Sequence, residues 1–242
     1  MSKTAKVILI TGASSGIGKS TAKKLANQGH YLLIGARRED HLKALVHEMT
    51  SLGNIVKYQV LDVTQRESVQ SFVDFAIEQF GRVDVIINNA GIMPLSPMSS
   101  LKVEEWDAMI DVNIRGVLYG IAAALPVMQK QSQGQIINIS SIGGLSVVPT
   151  AAVYCATKYA VRAISDGLRQ EHKNIRVTCV YPGVVESELA NTITDSIAAK
   201  AMQEYRQISI QPEAIANAIS HVIHQSPEID TSEIVVRPTT AL

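Results

Sequence analysis

The chain predicts an α/β fold, a doubly wound sheet of about seven parallel strands flanked by helices, organised as a single domain over residues 1–242. Three observations carry this. Apolar runs such as VDVII at 83–87 and QIINI at 135–139 have the unbroken hydrophobicity of strands buried on both faces. These runs alternate with helical patterns from end to end, with no Pro/Ser-rich linker between them. Finally, segment 7–18, VILITGASSGIG, takes an apolar strand straight into a glycine-rich turn that opens a helix.

The elements follow in order. A strand at 6–10 leads through the glycines to a helix over 19–28, which Gly29 closes. A second strand at 31–35 ends in Ala36-Arg37-Arg38, and Glu39 and Asp40 then suit the positive end of a helix. Further strands are expected near 55–60, 83–88, 135–140, 175–181 and 233–236, with helices between most successive pairs. Right-handed crossovers place ligands beyond the carboxyl ends of such strands, where the strand order reverses. Six strands end there in polar or glycine-rich residues: Gly12, then Arg37 and Arg38, then Asp62 with Val63, then Asn89, Ala90 and Gly91, then Ser140 and Ser141, then Pro182 and Gly183.

Composition narrows the function. Twenty-two basic and 22 acidic residues cancel and are scattered, so no polyanionic partner such as a nucleic acid is expected. The start MSKTAK carries no apolar signal region, and no later stretch reads as a membrane span, so no membrane association is expected. Two cysteines, Cys155 and Cys179, fit neither a disulfide framework nor a metal-ligand spacing, and the histidines are dispersed. A cytoplasmic protein without a metal is the expectation.

Gly12, Gly16 and Gly18 let the backbone approach a pyrophosphate, and the following helix N-terminus offers amide donors and a favourable dipole. The spacing G-x-x-x-G-x-G also suits an ordinary strand-to-helix turn, and the preceding strand and following helix are what favour a dinucleotide. An acid at the end of the second strand would bind a ribose 2′-hydroxyl, whereas an arginine accommodates a 2′-phosphate. Arg37 and Arg38 stand there, which favours NADP(H). A charge-assisted bond to phosphate contributes about 1.5–3 kcal/mol, so one arginine supplies a preference of about tenfold or more.

Tyr154 and Lys158, in YCATK, lie four residues apart on a predicted helix and project from one face. Ser141 closes the fifth strand, and Asn113 is a polar residue amid Met109, Ile110, Val112 and Ile114. With Thr11-Gly12, Gly16 and Gly18, Asn88-Asn89-Ala90-Gly91 and Pro182-Gly183, all in one order, the chain resembles the short-chain dehydrogenase/reductase family, in its shorter single-domain branch with a Rossmann-type sheet. The resemblance implies that Tyr154 is the general acid in carbonyl reduction and that Ser141 orients the carbonyl. It further implies that Lys158 holds the nicotinamide ribose and that Asn113 holds a water in a proton relay. Ser14, Ser15, Ile17, Val63, Val185 and Ser187 join the implied cofactor contacts; Ser15 stands where many NADP-preferring relatives carry a basic residue, and Ser187 where the family often has Thr.

Hydride delivery leaves alkoxide character on oxygen, which a positioned donor must neutralise. A free tyrosine titrates near pH 10 and burial raises it, so proton exchange near neutrality calls for positive charge. One cation at about 5 Å in an effective dielectric of 20 supplies roughly 3 kcal/mol against the roughly 4 kcal/mol that a three-unit drop requires, so the expectation is that Lys158 and oxidised nicotinamide act together.

The expected substrate wall combines Ile92 and Met93, then Leu145, Val147 and Val148, then Val184, Leu189, Met202 and Tyr205, and favours a hydrophobic ketone or aldehyde. Val147, Met202 and Tyr205 fit core packing equally well, and Glu186 is the only acid read within that set. Segment 184–211, flanked by Gly183 and Pro212, is compatible with a mobile lid. The string PGVVESEL looks similar to bacterial NADP-dependent reductases of 3-hydroxy acids and assorted carbonyls. Small residues Ala151, Ala152, Ala156, Ala160 and Ala163 suit close helix packing, and the resemblance implies a homotetramer or dimer.

The principal expectation is an NADPH-dependent carbonyl reductase, reversible as an alcohol dehydrogenase. An alternative is a 3-oxoacyl thioester reductase, which needs a basic surface near the pocket, with Arg115 and Arg162 as candidates. A different class is an NADP(H)-sensing regulator, for which a broken catalytic set or an added interaction segment would be diagnostic. Neither is visible.

Overall fold

The computed structural model describes residues 5–240. Its elements, in order, are β1 (Val7–Thr11), α1 (Gly16–Ala26), β2 (Tyr31–Ala36), α2 (Glu39–Ser51), β3 (Val56–Val60), α3 (Arg66–Phe80) and β4 (Val85–Asn88). There follow α4 (Val103–Ile110), α5 (Gly116–Lys130), β5 (Gly134–Ile139), α6 (Ala152–Glu171), β6 (Ile175–Pro182), α7 (Ser196–Tyr205), α8 (Pro212–His224) and β7 (Glu233–Val236). The seven strands form one sheet in the order β3-β2-β1-β4-β5-β6-β7, and every pairing is parallel. Each strand read from the sequence is present. Of the N-terminal string MSKTAK, residues 1–4 lie outside the described residues, as does the C-terminal pair 241–242.

Alternation along each strand builds two cores. Ile8, Ile10, Leu32 and Ile34 point to the face covered by α1, α2 and α8, while Val7, Leu9 and Leu33 point to the face covered by α3, α5 and α6. Side chains such as Ile10, Leu33 and Phe72 are fully buried. Burying a side chain of this size is worth roughly 1.5–3 kcal/mol, so both faces contribute.

The order reverses between β1 and β4, and the crevice opens at the carboxyl ends of these strands. There the chain is held by crossed hydrogen bonds. Thr11 Oγ1 accepts from the backbone N–H of Asn89 (3.0 Å) and Ala90 (3.1 Å), and Asn89 Nδ2 donates to the carbonyls of Thr11 (2.9 Å) and Gly12 (3.1 Å).

One expectation needs correcting. The helix continues through a π-helical turn, Asp111–Arg115, so α4 and α5 join into Val103–Lys130, 28 residues that are long and apolar enough by composition to cross a membrane. The reason is local. The apolar residues of α5, such as Val117, Ile121, Ala124 and Met128, serve the buried core beside α3.

Candidate active site

A cleft of about 740 Å³ runs along the carboxyl rim of the sheet. At its glycine-rich end Gly12 and Gly16 have φ of +67° and +52°, a left-handed conformation that side chains disfavour. A Cβ on Gly12 would also stand 2.7 Å from Ala90 Cα. Gly18 serves another purpose: its Cβ would meet the Gly12 carbonyl oxygen at 2.5 Å, so it packs the turn against itself and does not line the cleft. No acid stands in the first turn of α1, and Ser15 makes no side-chain cap bond to it. Those amides are therefore available to an anion, and the cradle fits a dinucleotide pyrophosphate.

Arg38 reaches back over this turn. Its Nη2 donates to Ser14 Oγ (3.0 Å) and Ser15 Oγ (2.9 Å). Arg37 lies on the same wall, with Asp62 and Val63 beside it. Asp62 is itself organised, accepting from Thr64 N (3.0 Å) and Thr64 Oγ1 (2.8 Å).

At the opposite end α6 brings Tyr154 and Lys158 together. Its buried residues, including Tyr154, Lys158, Val161, Ser165 and Leu168, recur every three or four positions, so one face sits on the sheet. Lys158 Nζ donates to the Ile139 carbonyl (3.0 Å) and lies 5.7 Å from the centre of the Tyr154 ring. Ser141 Oγ accepts from Gly143 N–H (3.0 Å), which leaves its own proton to donate elsewhere. Burial pushes the Tyr154 phenol up to about 12, and its bond with Ser141 pulls in the other direction. Burial also brings the Lys158 ammonium down to about 8. In the protein alone desolvation dominates, and the lowering of Tyr154 expected from Lys158 and oxidised nicotinamide together concerns the cofactor-bound state.

Asn113 sits within the π-helical turn and is 1% exposed, so it lies behind the cleft. Its Oδ1 accepts from Ile92 N (2.9 Å), while Nδ2 donates to Ile92 O (3.0 Å) and Thr157 Oγ1 (3.1 Å). The extra residue of the π turn aims this amide at the loop after β4 and at α6.

Most of the anticipated residues meet along the cleft: Ser14, Ser15, Ile17, Asn89, Ala90, Gly91, Met93, Ser141, Val148, Tyr154, Lys158, Pro182, Gly183, Val184, Val185, Ser187 and Leu189 all line it. Met202 and Tyr205 line it as well. Two wall residues do not. Leu145 packs against the core beside α3, α5 and α6, and Val147 is 61% exposed, since the bend after Ser141 turns both away. Glu186 is drawn off by Arg206 Nη2 (2.6 Å), whereas Glu188 reaches the cleft and pairs with Arg38 (2.7 Å). Glu188 was missed as a site residue; its nearness to Ser187 in PGVVESEL was the available signal. Of the two arginines considered for a carrier surface, Arg115 is paired with Asp111 and Arg162 with Glu233 (3.1 Å). Among the described residues no cluster of His, Cys, Asp and Glu is arranged to hold a metal ion.

Comparison with known proteins agrees with this architecture. The short chain dehydrogenase family model matches residues 6–198. An uncharacterized oxidoreductase of Staphylococcus saprophyticus is 46% identical over 239 residues, covering 97% of this chain and 96% of its own. The structure of an alcohol dehydrogenase from the archaeon Thermococcus sibiricus, complexed with 5-hydroxy-NADP, superposes with a TM-score of 0.89 at 30% identity, covering 98% of both chains. A short chain dehydrogenase/reductase from Burkholderia phymatum in complex with NAD superposes with a TM-score of 0.88 at 25% identity, over 96% of this chain and 88% of its own. With the family model spanning residues 6–198 and a relative 46% identical over nearly the whole of both chains, the protein belongs to the short chain dehydrogenase family.

Proposed function

We propose that the protein is an NADPH-dependent carbonyl reductase, reversible as an alcohol dehydrogenase, acting on hydrophobic ketones or aldehydes through Asn113, Ser141, Tyr154 and Lys158. One observation carries the reading: a single cleft has a buried Tyr154 beside Lys158, with Ser141 on the same wall, at one end, and Arg38 over a glycine cradle, with Arg37 on its wall, at the other. The NADP-type ligand of the Thermococcus sibiricus enzyme supports the cofactor assignment, and the NAD complex of the Burkholderia phymatum protein shows that fold alone does not choose. The choice falls to the two arginines.

Bound nicotinamide supplies the hydride. Tyr154, protonated at any neutral pH, donates to the oxygen that gains alkoxide character, and the free proton of Ser141 serves the same oxygen. Lys158 places a buried positive charge beside the phenol and stabilises the phenolate left when the proton is given up. Asn113 positions this machinery, clamping the loop at Ile92 to α6 through Thr157. Met93, Val148, Val184 and Leu189 form the wall that receives the substrate's apolar part. The lid spans 184–211 within a single domain. It is drawn in at its base by bonds between Glu186 N and Ile210 O (2.9 Å) and between Ile210 N and Val184 O (3.1 Å).

Exposed Ile110, Leu118 and Tyr159 on α4, α5 and α6 support pairing of copies into a dimer or tetramer. The reduced, buried Cys155 and Cys179 suit a cytoplasmic setting.

The assay is loss of NADPH absorbance, beside NADH, against aryl ketones, aldehydes, 3-oxo esters and 3-oxoacyl thioesters. Turnover of free hydrophobic carbonyls with NADPH preferred is expected; equal turnover with NADH contradicts the role of the arginines. Arg38→Ala is expected to weaken NADPH binding by about tenfold or more while leaving NADH within about twofold, the loss of one charge-assisted phosphate bond. Fluorescence titration of both cofactors reads this directly.

The Lys158 charge is present below about pH 8 and lost above it. The kcat/KM for reduction is therefore expected to be level near neutrality and to fall about tenfold per unit well above that point. A profile that stays level to about pH 10 contradicts a role for that charge.

A further inference from the structure

The anion site at the end of β2 is already served from within the chain. Arg38 Nη2 carries two protons and faces three acceptors: Ser14 Oγ at 3.0 Å, Ser15 Oγ at 2.9 Å and Glu188 Oε2 at 2.7 Å, the shortest of them. The Glu188 carboxyl is held below the usual carboxylate range by its bond to Arg38 and, more weakly, by a bond with Ser15. A guanidinium and a serine hydroxyl are what a ribose 2′-phosphate would use here, and the Glu188 carboxylate sits on the guanidinium that also holds Ser15. A 2′-phosphate that takes a proton of Arg38 Nη2 meets the Glu188 carboxylate on the same nitrogen, and the repulsion between the two anions opposes holding both contacts at once.

Glu188 opens the short helical turn Glu188–Thr192. That turn reaches both ends of the cleft. Just before it, Ser187 Cβ lies 3.2 Å from where a Cβ on Gly16 would stand, so the segment crosses the glycine-rich loop. Within it Leu189 lines the apolar wall, and Thr192 Oγ1 accepts from Met93 N–H (3.2 Å). An ion pair at Arg38 is thereby linked to the wall that receives the substrate.

We propose that Glu188 is an internal counter-anion of the cofactor phosphate site: it occupies Arg38 and Ser15 until a 2′-phosphate displaces it, so NADP(H), and not NAD(H), frees the turn Glu188–Thr192 from the glycine-rich loop. The proposal rests on the NADP(H) reading above and assigns Glu188 as a residue that sets cofactor discrimination. Its carboxylate opposes NADP(H), weakening a preference that Arg38 creates. With NAD(H) the pair stays closed and the lid's first turn stays tethered.

The test is fluorescence titration of NADPH and NADH on the wild type, Glu188→Gln and Arg38→Ala, with hydrogen exchange of the peptide spanning Glu188–Thr192 under saturating NADP+ and NAD+. Glu188→Gln keeps the size of the side chain and removes its charge. It is expected to tighten NADPH binding about fivefold or more, leaving NADH within about twofold, as the competing charge goes. In the wild type, exchange in this peptide is expected to be faster with NADP+ than with NAD+, and the difference should vanish in Glu188→Gln. Unchanged or weaker NADPH binding in Glu188→Gln, or equal exchange under the two cofactors, overturns the proposal. If Arg38→Ala nevertheless weakens NADPH, only the role of Glu188 falls; if Arg38→Ala leaves NADPH binding unchanged, the phosphate assignment falls and takes this proposal with it.

Discussion

Tyr154→Phe is expected to lower kcat for carbonyl reduction by about 10²–10⁴-fold while leaving the NADPH dissociation constant within about threefold. The change removes one hydroxyl. The ring keeps its place among Met93, Leu95, Met109, Ala151 and Cys155, so the fold has little reason to respond. What disappears is the proton donor of the proposed mechanism, and water is a poor substitute in a site where Tyr154 is only 7% exposed. Steady-state rates and a cofactor titration on the same preparation separate the two effects. A variant that keeps wild-type kcat would place the proton donor elsewhere.

Gly12→Ala is expected to damage cofactor binding and stability together. Alanine at φ +67° costs about 1–2 kcal/mol in the left-handed region. The new Cβ would also lie 2.7 Å from Ala90 Cα and 3.0 Å from Ala90 N, and backbone cannot rotate away as a side chain can. To relieve the contact, the end of β1 must part from the loop after β4, which is where the cradle is formed. NADPH affinity should fall about tenfold or more, for which about 1.4 kcal/mol suffices. The melting temperature should fall by about 2–4 °C for each kcal/mol lost. Gly29→Ala supplies the control, since Gly29 has φ +82° but nothing within 4 Å of its Cβ position. It should lose stability and keep its cofactor. Wild-type NADPH binding in Gly12→Ala would contradict the assigned cradle.

Periodicity and punctuation made the sheet legible. β1 through β7 lie within one or two residues of the stretches read as strands. The inner strands leave an apolar run because both their faces are covered, whereas the edge strands β3 and β7 are only partly buried and carry Lys57, Gln59 and Glu233. Tyr154 and Lys158 were legible for a similar reason: a separation of four on one helix fixes their shared face. The misreadings share another cause. Leu145 and Val147 are apolar residues just upstream of Tyr154, and only the bend after Ser141 decides that one enters the core and the other faces solvent. The partners of Asn113 lie 21 and 44 residues away and depend on a π turn that no local pattern announces. Glu188 meets Arg38 across the cleft, from the segment after β6 to the end of β2, and sequence alone offered only a carboxylate beside Ser187. The electrostatic expectation rests on Lys158 together with oxidised nicotinamide; in the protein alone burial of Tyr154 dominates and holds its phenol up.

In the proposed mechanism this cleft passes a hydride from a nicotinamide to a carbonyl carbon as Tyr154 protonates the oxygen. The most direct measurement is isotopic: turnover of a hydrophobic aryl ketone with NADPH carrying deuterium at the transferable position, followed by mass spectrometry of the alcohol. The account predicts one deuterium on the carbinol carbon, and loss of labelled product with Tyr154→Phe. Tight NADPH binding with no labelled alcohol from any ketone or aldehyde offered would contradict it.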